Sequence, residues 1–387
     1  MRNTTWKIKT SNQNKSIMLN NFPIDQDILK ILHSRGIVSK KDIINFLDPS
    51  LDNIQPSSLL SDMKKSVDLI IECINNGKNI WIYGDYDVDG ITSTSILYLA
   101  LKDLGAEFLN YYIPIRDEGY GLNNTALKTI KNSGADLLIT VDCGITSFKE
   151  IEFAKSIGLD VIITDHHDIQ SDKIPNAYSI INPKRTDNAF TFNALAGVGV
   201  AFMLILNLYE KLKTKEEAYV YLDLVAIGTI ADIVPLVKEN RIFAKHGLEK
   251  LLYSENKGLR FLITKLFETA KLEFTTYDVG FVIAPVFNAA GRLKDAKMVV
   301  KLLTSDNDRE IEVISKELIN KNFERRELQT TLVELVEANI QKNNLNDNLV
   351  IVDASSEYHH GIIGIIASKV VDAHYKPAII MEIKEDE

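Results

Sequence analysis

Three aspartates stand at alternate positions in GDYDVDG, residues 84–90: Asp85, Asp87 and Asp89. An apolar stretch, NIWIY, precedes them, and a helical pattern, ITSTSILYLALKDL, follows. Like charges packed this closely destabilise a fold unless a cation neutralises them, and hard oxygen donors suit Mg²⁺ or Mn²⁺. A calcium-type loop or a solvated Asx turn would use the same letters. An EF-hand also needs a preceding helix and a later Glu in the loop, and both are missing.

Two further groups follow apolar runs in the same way. VDCG at 141–144 follows LLIT, and TDHHD at 164–168 follows VII. They supply Asp142, Asp165, His166 and His167. A lone Asp in such a place is often a helix N-cap, and Asp142 before GITS fits that reading too. Three separate strands delivering Asp or His to one edge point instead to metal ligation. Cys143 reads as a small buried hydrophobe rather than a nucleophile. Asp232, in GTIADIVPL, is the only charged residue in the apolar run from Leu224 to Val237. Buried charges are normally paired or on a metal, so Asp232 joins the candidates, with an N-cap or core salt bridge as the alternative.

These residues need a frame that brings strand ends together. Apolar runs at 79–83, 108–113, 137–141, 161–164 and 178–181 alternate with helical patterns at 92–104, 124–133 and 146–157. Fully apolar strands alternating with helices predict a parallel sheet covered on both faces, with its site beyond the carboxyl ends of the strands. Ahead of it, 1–75 reads as a helical lead-in, with patterns at Asp25–Leu32 and Ser39–Phe46. Helices are also predicted at 198–212, 215–230 and 241–253. A highly charged stretch, 306–342, reads as one helix of roughly 55 Å that spans two bodies. Beyond it, a strand at 348–354, a helix at 361–373 and a strand at 378–382 begin a second unit. One strand, one helix and one strand cannot close a domain, so the chain reads as cut short there.

Composition limits the rest. The 387 residues are 45% hydrophobic and 25% charged, as in an ordinary soluble protein. The net charge of −9 excludes a generic polyanion sponge, so nucleic acid would need a local basic groove or metal ions. Two cysteines, neither in a CxxC pair, exclude a disulfide framework and a thiolate zinc site. The segment MRNTTWKIKT lacks a signal-peptide core, and no apolar run approaches the ~18–20 residues of a membrane span. A cytoplasmic, non-membrane protein is expected.

GDYDVDG, VDCG, DHH and the Asp232 run resemble the four ordered motifs of the DHH phosphoesterases, and most closely the RecJ single-strand exonuclease branch. That branch also shows segments like IPIRDEGYGL at 113–122, LAGVGVAF at 195–202, NAAGRL at 288–293 and YHHGIIGIIAS at 358–368. The resemblance runs in order over roughly 75–370. Tyr83 stands where the wider family often has His, and Tyr358 where it has Trp. The family's GGHxxAAG motif and the OB-fold domain that follows it are absent from this sequence.

The resemblance implies an α/β fold: a parallel-sheet DHH-type domain over 76–300, a connecting helix over 301–345 and a partial second α/β domain over 346–387. It implies one or two Mn²⁺ or Mg²⁺ ions on Asp85, Asp87, Asp142, His166 and Asp232. His167, Asp165 and Asp89 would act beside them as catalytic or supporting groups. Arg292, Asn288, Arg116, Tyr120, His359 and Gly361 would meet the substrate. The implied reaction removes 5′-mononucleotides from the 5′ end of single-stranded DNA, in repair and recombination. Its polarity comes from the family alone. A single-strand-binding protein and a helicase are the implied companions of a monomer. Two other readings compete: a DHH phosphoesterase for short oligonucleotides or cyclic dinucleotides, and a non-catalytic replication scaffold, which should have lost its ligands.

Overall fold

A computed structural model describes residues 24–170, 173–293 and 295–384. The first 23 residues of the expected lead-in, including MRNTTWKIKT, lie outside the described residues. What remains of the lead-in forms α1 (Gln26–Ser34) and α2 (Lys40–Leu47), capped by the side chains of Asp25 and Ser39. Leu29, Leu32 and Ile43 pack these two helices together. Helix α3 (Met63–Asn75) then leads to the sheet.

The sheet is built from β1 (Ile80–Gly84), β2 (Leu109–Tyr112), β3 (Leu137–Val141), β4 (Asp160–Thr164) and β5 (Ser179–Ile181). Three helices connect its first four strands: α4 (Val88–Asp103), α5 (Asn124–Asn132) and α6 (Phe148–Ser156). All five strands are parallel, in the order β2-β1-β3-β4-β5. Side chains alternate between its faces. Ile82, Leu137, Ile139 and Ile162 enter the larger core, whereas Tyr83, Leu138, Val161 and Ile163 pack with α5 and α6 on the other side. The register aligns Gly84 with Val141, and Val141 with Thr164. The next residue on each strand is therefore Asp85, Asp142 and Asp165.

Helix α4 starts four residues earlier than the sequence pattern predicts. Asp87 caps it, accepting from the Gly90 N–H at 3.0 Å. The alternating aspartates thus do not share one open turn. Asp85 ends the strand, Asp87 caps the helix, and Asp89 lies inside its first turn.

The larger core is completed by α7 (Gly197–Leu212), α8 (Leu222–Ala231), α9 (Lys238–Lys250) and α10 (Lys257–Leu266). The expected helix over 215–230 divides into a 3-10 stretch, Lys215–Tyr221, and α8. A π-helical turn, Asp278–Ile283, runs into α11 (Ala284–Leu293), followed by α12 (Lys297–Thr304). Pro285 and Gly291 hide α11 from a helical pattern search. The long helix α13 (Asp308–Lys342) has 35 residues. Ile311, Ile314 and Leu318 pack in the larger core. Leu332, Val336 and Ile340 pack in a second core with β6 (Ile351–Ser355), α14 (Ile363–His374) and β7 (Ala378–Glu382). Strands β6 and β7 are parallel. No described helix is long and apolar enough to cross a membrane.

Two glycines test the packing. A Cβ at Gly247 would lie 2.1 Å from the Leu222 carbonyl oxygen and 2.4 Å from the Ala226 Cβ, forcing α8 and α9 apart. A Cβ at Gly280 meets nothing within 4 Å. Gly247→Ala should therefore cost about 1–3 kcal/mol. Gly280→Ala should be neutral or stabilise by up to about 1 kcal/mol. Urea unfolding of both variants checks this, and equal midpoints would contradict the packing.

Candidate active site

Asp85, Asp142 and Asp165 emerge side by side at the carboxyl edge of the sheet, where the strand order reverses around β1 and β3. Open α/β sheets bind ligands at such a place. Asp142 takes a left-handed backbone, φ 60°, and its N–H donates to the Thr164 carbonyl at 3.0 Å. Aspartate tolerates this region better than most residues. The turn aims its carboxylate at the N-terminus of α7. A Cβ at Gly197 would come within 2.4 Å of Asp142 Oδ1, so that position must lack a side chain.

His166 is oriented from behind. Its Nδ1 lies 3.0 Å from the Leu195 carbonyl, which can only accept, so Nδ1 carries the hydrogen. Nε2 then faces Asp142 Oδ1 at 3.1 Å, Asp232 Oδ2 at 3.7 Å and Asp89 Oδ2 at 3.9 Å. An imidazole tied through one nitrogen to a carbonyl, with the other facing carboxylates, is the arrangement of a metal ligand. Asp85 Oδ1 and Asp142 Oδ1 are buried with no hydrogen-bond partner among the described residues. Three overlapping sets each offer ligand atoms within 4.8 Å of one another: Asp85, Asp87 and Asp142; Asp142, His166 and His167; and Asp89, His166 and Asp232. Orphaned carboxylate oxygens and one neutral imidazole fit a hard divalent cation such as Mn²⁺ or Mg²⁺.

Asp89 and Asp165 are both tied into hydrogen bonds beside the candidate ligands. Both oxygens of Asp89 are occupied by the N-terminus of α7, with Gly197 N and Val198 N donating at 2.7 Å each. Asp165 accepts from the N–H groups of His166, His167 and Ile145 and from the His167 ring. Carboxylates so fully engaged hold their neighbours in place. Asp89 fixes α7 against the cluster, and Asp165 fixes the double-histidine turn. His167 Nδ1 lies 2.7 Å from Asp165 Oδ1, and its side chain is 42% exposed. The Tyr120 hydroxyl lies 3.0 Å from the same ring nitrogen. Tyr120 therefore braces His167, although 49% of the residue remains exposed.

The arginines lie on the Asp85 side. Arg116 stacks on Tyr86 at 4.5 Å and donates to the Gly291 carbonyl at 3.2 Å. Arg292 donates to the Gly361 carbonyl at 2.9 Å, joining the two bodies. Neither guanidinium has an ion-pair partner among the described residues. Asn288 sits one turn before Arg292 on α11. The segment around His359 differs from expectation. The Gly361 N–H donates to His359 Nδ1, and α14 begins only at Ile363. Gly361 thus presents a carbonyl to Arg292, and its N–H is taken up locally rather than offered to an anion.

The sequence left other residues of this site without a role. LAGVGVAF is a visible motif, but only the fold shows its work: the Leu195 carbonyl on His166, Gly197 beneath Asp142, and two N–H groups on Asp89. Tyr83, fully buried, donates to the Gly121 carbonyl at 2.8 Å and so ties the Tyr120 loop to β1. Cys143 is fully buried, and burial pushes its thiol well above the usual range, which fits an inert side chain.

Charge follows burial. Without an ion, burial and then Asp87 push Asp85 up to about 7 and Asp232 up to about 6. Burial and neighbouring carboxylates hold Asp89 and Asp142 well above the usual range. Burial lowers His166 to about 4, leaving it neutral. Burial also opposes charge on His167, but the Asp165 hydrogen bond outweighs it and its pKa rises. His166 is neutral when folded and still half protonated at about pH 6.5 when unfolded. It therefore adds only a small opposing rise that is complete by about pH 7.5. The carboxylates and His167, whose folded pKa values are raised, then all lose stability as pH rises. The melting temperature in chelator should therefore fall from pH 6.5 to 8.5, and Mn²⁺ should restore it most at pH 8.5. Melts that stay flat or rise with pH would contradict this electrostatic account.

Comparison with known proteins gives the lineage. Residues 79–229 match the model of the DHH family, N-terminal domain. The chain is 38% identical over 383 residues to the single-stranded-DNA-specific exonuclease RecJ of Bacillus subtilis, covering 98% of this chain and 48% of that protein. It is 35% identical to the Escherichia coli RecJ over 90% of this chain and 62% of that one. The chain thus spans about half to three-fifths of these relatives. A crystal structure of exonuclease RecJ bound to manganese matches with a TM-score of 0.75 and 34% identity, covering 84% of this chain and 80% of that one. RecJ from Thermus thermophilus in complex with Mn²⁺ matches with a TM-score of 0.76 and 32% identity, over 90% of this chain and 49% of that one. With the ordered motifs, the parallel sheet and the converging acid cluster, these likenesses show that the chain belongs to the DHH family, in its RecJ exonuclease branch.

Proposed function

We propose that this chain carries the catalytic core of a metal-dependent exonuclease that hydrolyses phosphodiester bonds of single-stranded DNA. The observation that carries this reading is the convergence of acids and imidazole from three strand ends and α8, with two buried carboxylate oxygens left unanswered. Asp85, Asp87, Asp142, His166 and Asp232 would hold one or two Mn²⁺ or Mg²⁺ ions. Such ions, when bound, acidify a water and neutralise charge on the phosphodiester. His167, half-exposed and with its pKa raised by the Asp165 hydrogen bond, is placed to give a hydrogen bond or proton to a phosphoryl or leaving oxygen. Arg116 and Arg292 supply charge-assisted contacts to backbone phosphates.

Removal of 5′-mononucleotides from the 5′ end is the polarity that the resemblance of the ordered motifs implies. In this reading 76–300 is the metal-binding domain, 301–345 the connecting helix, and 346–387 the start of the associated domain. The enzyme would act as a cytoplasmic monomer in repair and recombination, on strands opened by a helicase and held by a single-strand-binding protein.

A digest of end-labelled single strands, duplexes and cyclic dinucleotides with and without Mn²⁺ tests the reading. Preference for cyclic dinucleotides would replace it with a small-substrate phosphodiesterase. Asp142→Ala should leave below about 1% of the wild-type rate in saturating Mn²⁺, a loss of at least ~2.7 kcal/mol of transition-state stabilisation. Its melting temperature in chelator should stay level or rise, because one buried like charge is gone. Arg292→Ala should weaken binding of a single-stranded oligonucleotide by roughly 10–100-fold, from the loss of about 1.5–3 kcal/mol. Mn²⁺ affinity should change little. Unimpaired oligonucleotide binding by this variant at moderate salt would contradict its role.

A further inference from the structure

A cavity of about 810 Å³ opens beside the acid cluster, with His166 in its wall. It lies on the opposite flank from Arg116 and Arg292. Strand order places β1, which delivers Asp85, on one side of β3, and β4, which delivers His166, on the other. Arg116 lies against Tyr86 and Gly291 on the Asp85 flank. The cavity follows His166 on the other, toward Lys184, Asn193, Val234 and Pro235.

We propose that this cavity receives the nucleotide on the side of the scissile phosphate opposite Arg116 and Arg292, and that Lys184 contacts its phosphate. The proposal rests on the phosphodiesterase reading above. Its size suits a nucleotide, since pockets for ligands of that class run from about 300 to 1,000 Å³. Its wall has both parts such a ligand needs. Ile169, Val234 and Pro235 offer apolar surface to a base or sugar, Asn193 offers an amide, and Lys184 offers a cation.

Lys184 is available for this and Arg185 is not. Arg185 also lines the cavity, but it is held by Asp62 at 2.7 Å, by Asp187 at 2.6 Å and by the Ile180 carbonyl. Lys184 Nζ pairs with Asp168 Oδ1 at 2.8 Å, and the Asp168 side chain is 90% exposed. An exposed pair of this kind contributes little, so the ammonium can exchange water and Asp168 for a phosphate. Lys184 shares the cavity wall with His166, whose Nε2 lies 3.1 Å from Asp142 Oδ1. A phosphate on it would therefore be a near neighbour of the cluster.

Two variants test this on the whole chain: Lys184→Ala, which removes the cation, and Val234→Trp, which fills the cavity. The probe is a 5′-phosphorylated single-stranded octanucleotide, with binding read by anisotropy in Ca²⁺ and cleavage read in Mn²⁺. Lys184→Ala should raise Kd and KM at least about tenfold, as expected for loss of one charge-assisted contact, and Val234→Trp should do so by occupying the space of the base or sugar. The kcat should change far less, and Mn²⁺ titration and melting temperature should match wild type. Unchanged Kd in both variants overturns the proposal, as does loss of Mn²⁺ binding in both, which would assign these residues to the metal centre. A wild type that binds the octanucleotide without cutting it, while both variants lose binding, would keep the cavity and end the exonuclease reading. A wild type that cuts, with both variants binding and cutting unchanged, would do the reverse.

Discussion

Four carboxylates, those of Asp85, Asp89, Asp142 and Asp165, are buried to 6% exposure or less at one rim of the sheet. Burying like charges together is among the costliest arrangements a fold can hold, unless each is answered by hydrogen bonds or a cation. The molecule divides the problem. Asp165 is answered by three backbone N–H groups and His167, and Asp89 by two N–H groups of α7. Asp85 and Asp142 each keep one oxygen unanswered, and these two oxygens face the space that His166 and Asp232 also border. A hard divalent ion there would offset the repulsion that remains after His167, Arg116 and Lys184 have acted on it.

Much of the surrounding structure follows from holding those charges in place. The flush register of β1, β3 and β4 sets three aspartates side by side. Helix α7, buried from Gly197 to Tyr209, brings its N-terminus to the rim. There its free N–H groups meet Asp89, as the positive end of a helix favours an anion. The same turn offers the Leu195 carbonyl to His166 and, at Gly197, the room that Asp142 needs. Ligands, orienting groups and helix N-terminus thus form one unit.

The second body meets the first across the arginines. Helix α13 roots one end in each core, and Arg292 reaches from α11 to the Gly361 carbonyl. Burial, and then Arg116 and Arg325, lower Arg292 to about 10. Half-buried arginines that repel one another without a carboxylate between them form a local positive site in a chain of net charge −9. Such a site can bind a polyanion in a protein whose overall charge repels it.

The sequence alone carried the chemistry and the frame. The apolar runs lie within about a residue of the observed strands because parallel strands buried on both faces leave an unambiguous hydrophobic signature. The candidate ligands were legible because acids directly after such runs occupy strand ends. Tertiary structure decided how those residues divide the work. The alternating spelling of Asp85, Asp87 and Asp89 places all three near a cation without saying what holds each one. Helix α4 begins among them and turns Asp89 away toward α7, a segment more than a hundred residues further along the chain. Asp165 is expected beside the ligands, but only the fold shows that it braces the double-histidine turn. The Leu195 carbonyl has no spelling at all, since any residue could supply it. Local sequence determines which groups can be charged and where strands end. Which of those charges meets a backbone N–H, and which is left facing open space, depends on contacts between distant segments, and only packing sets those.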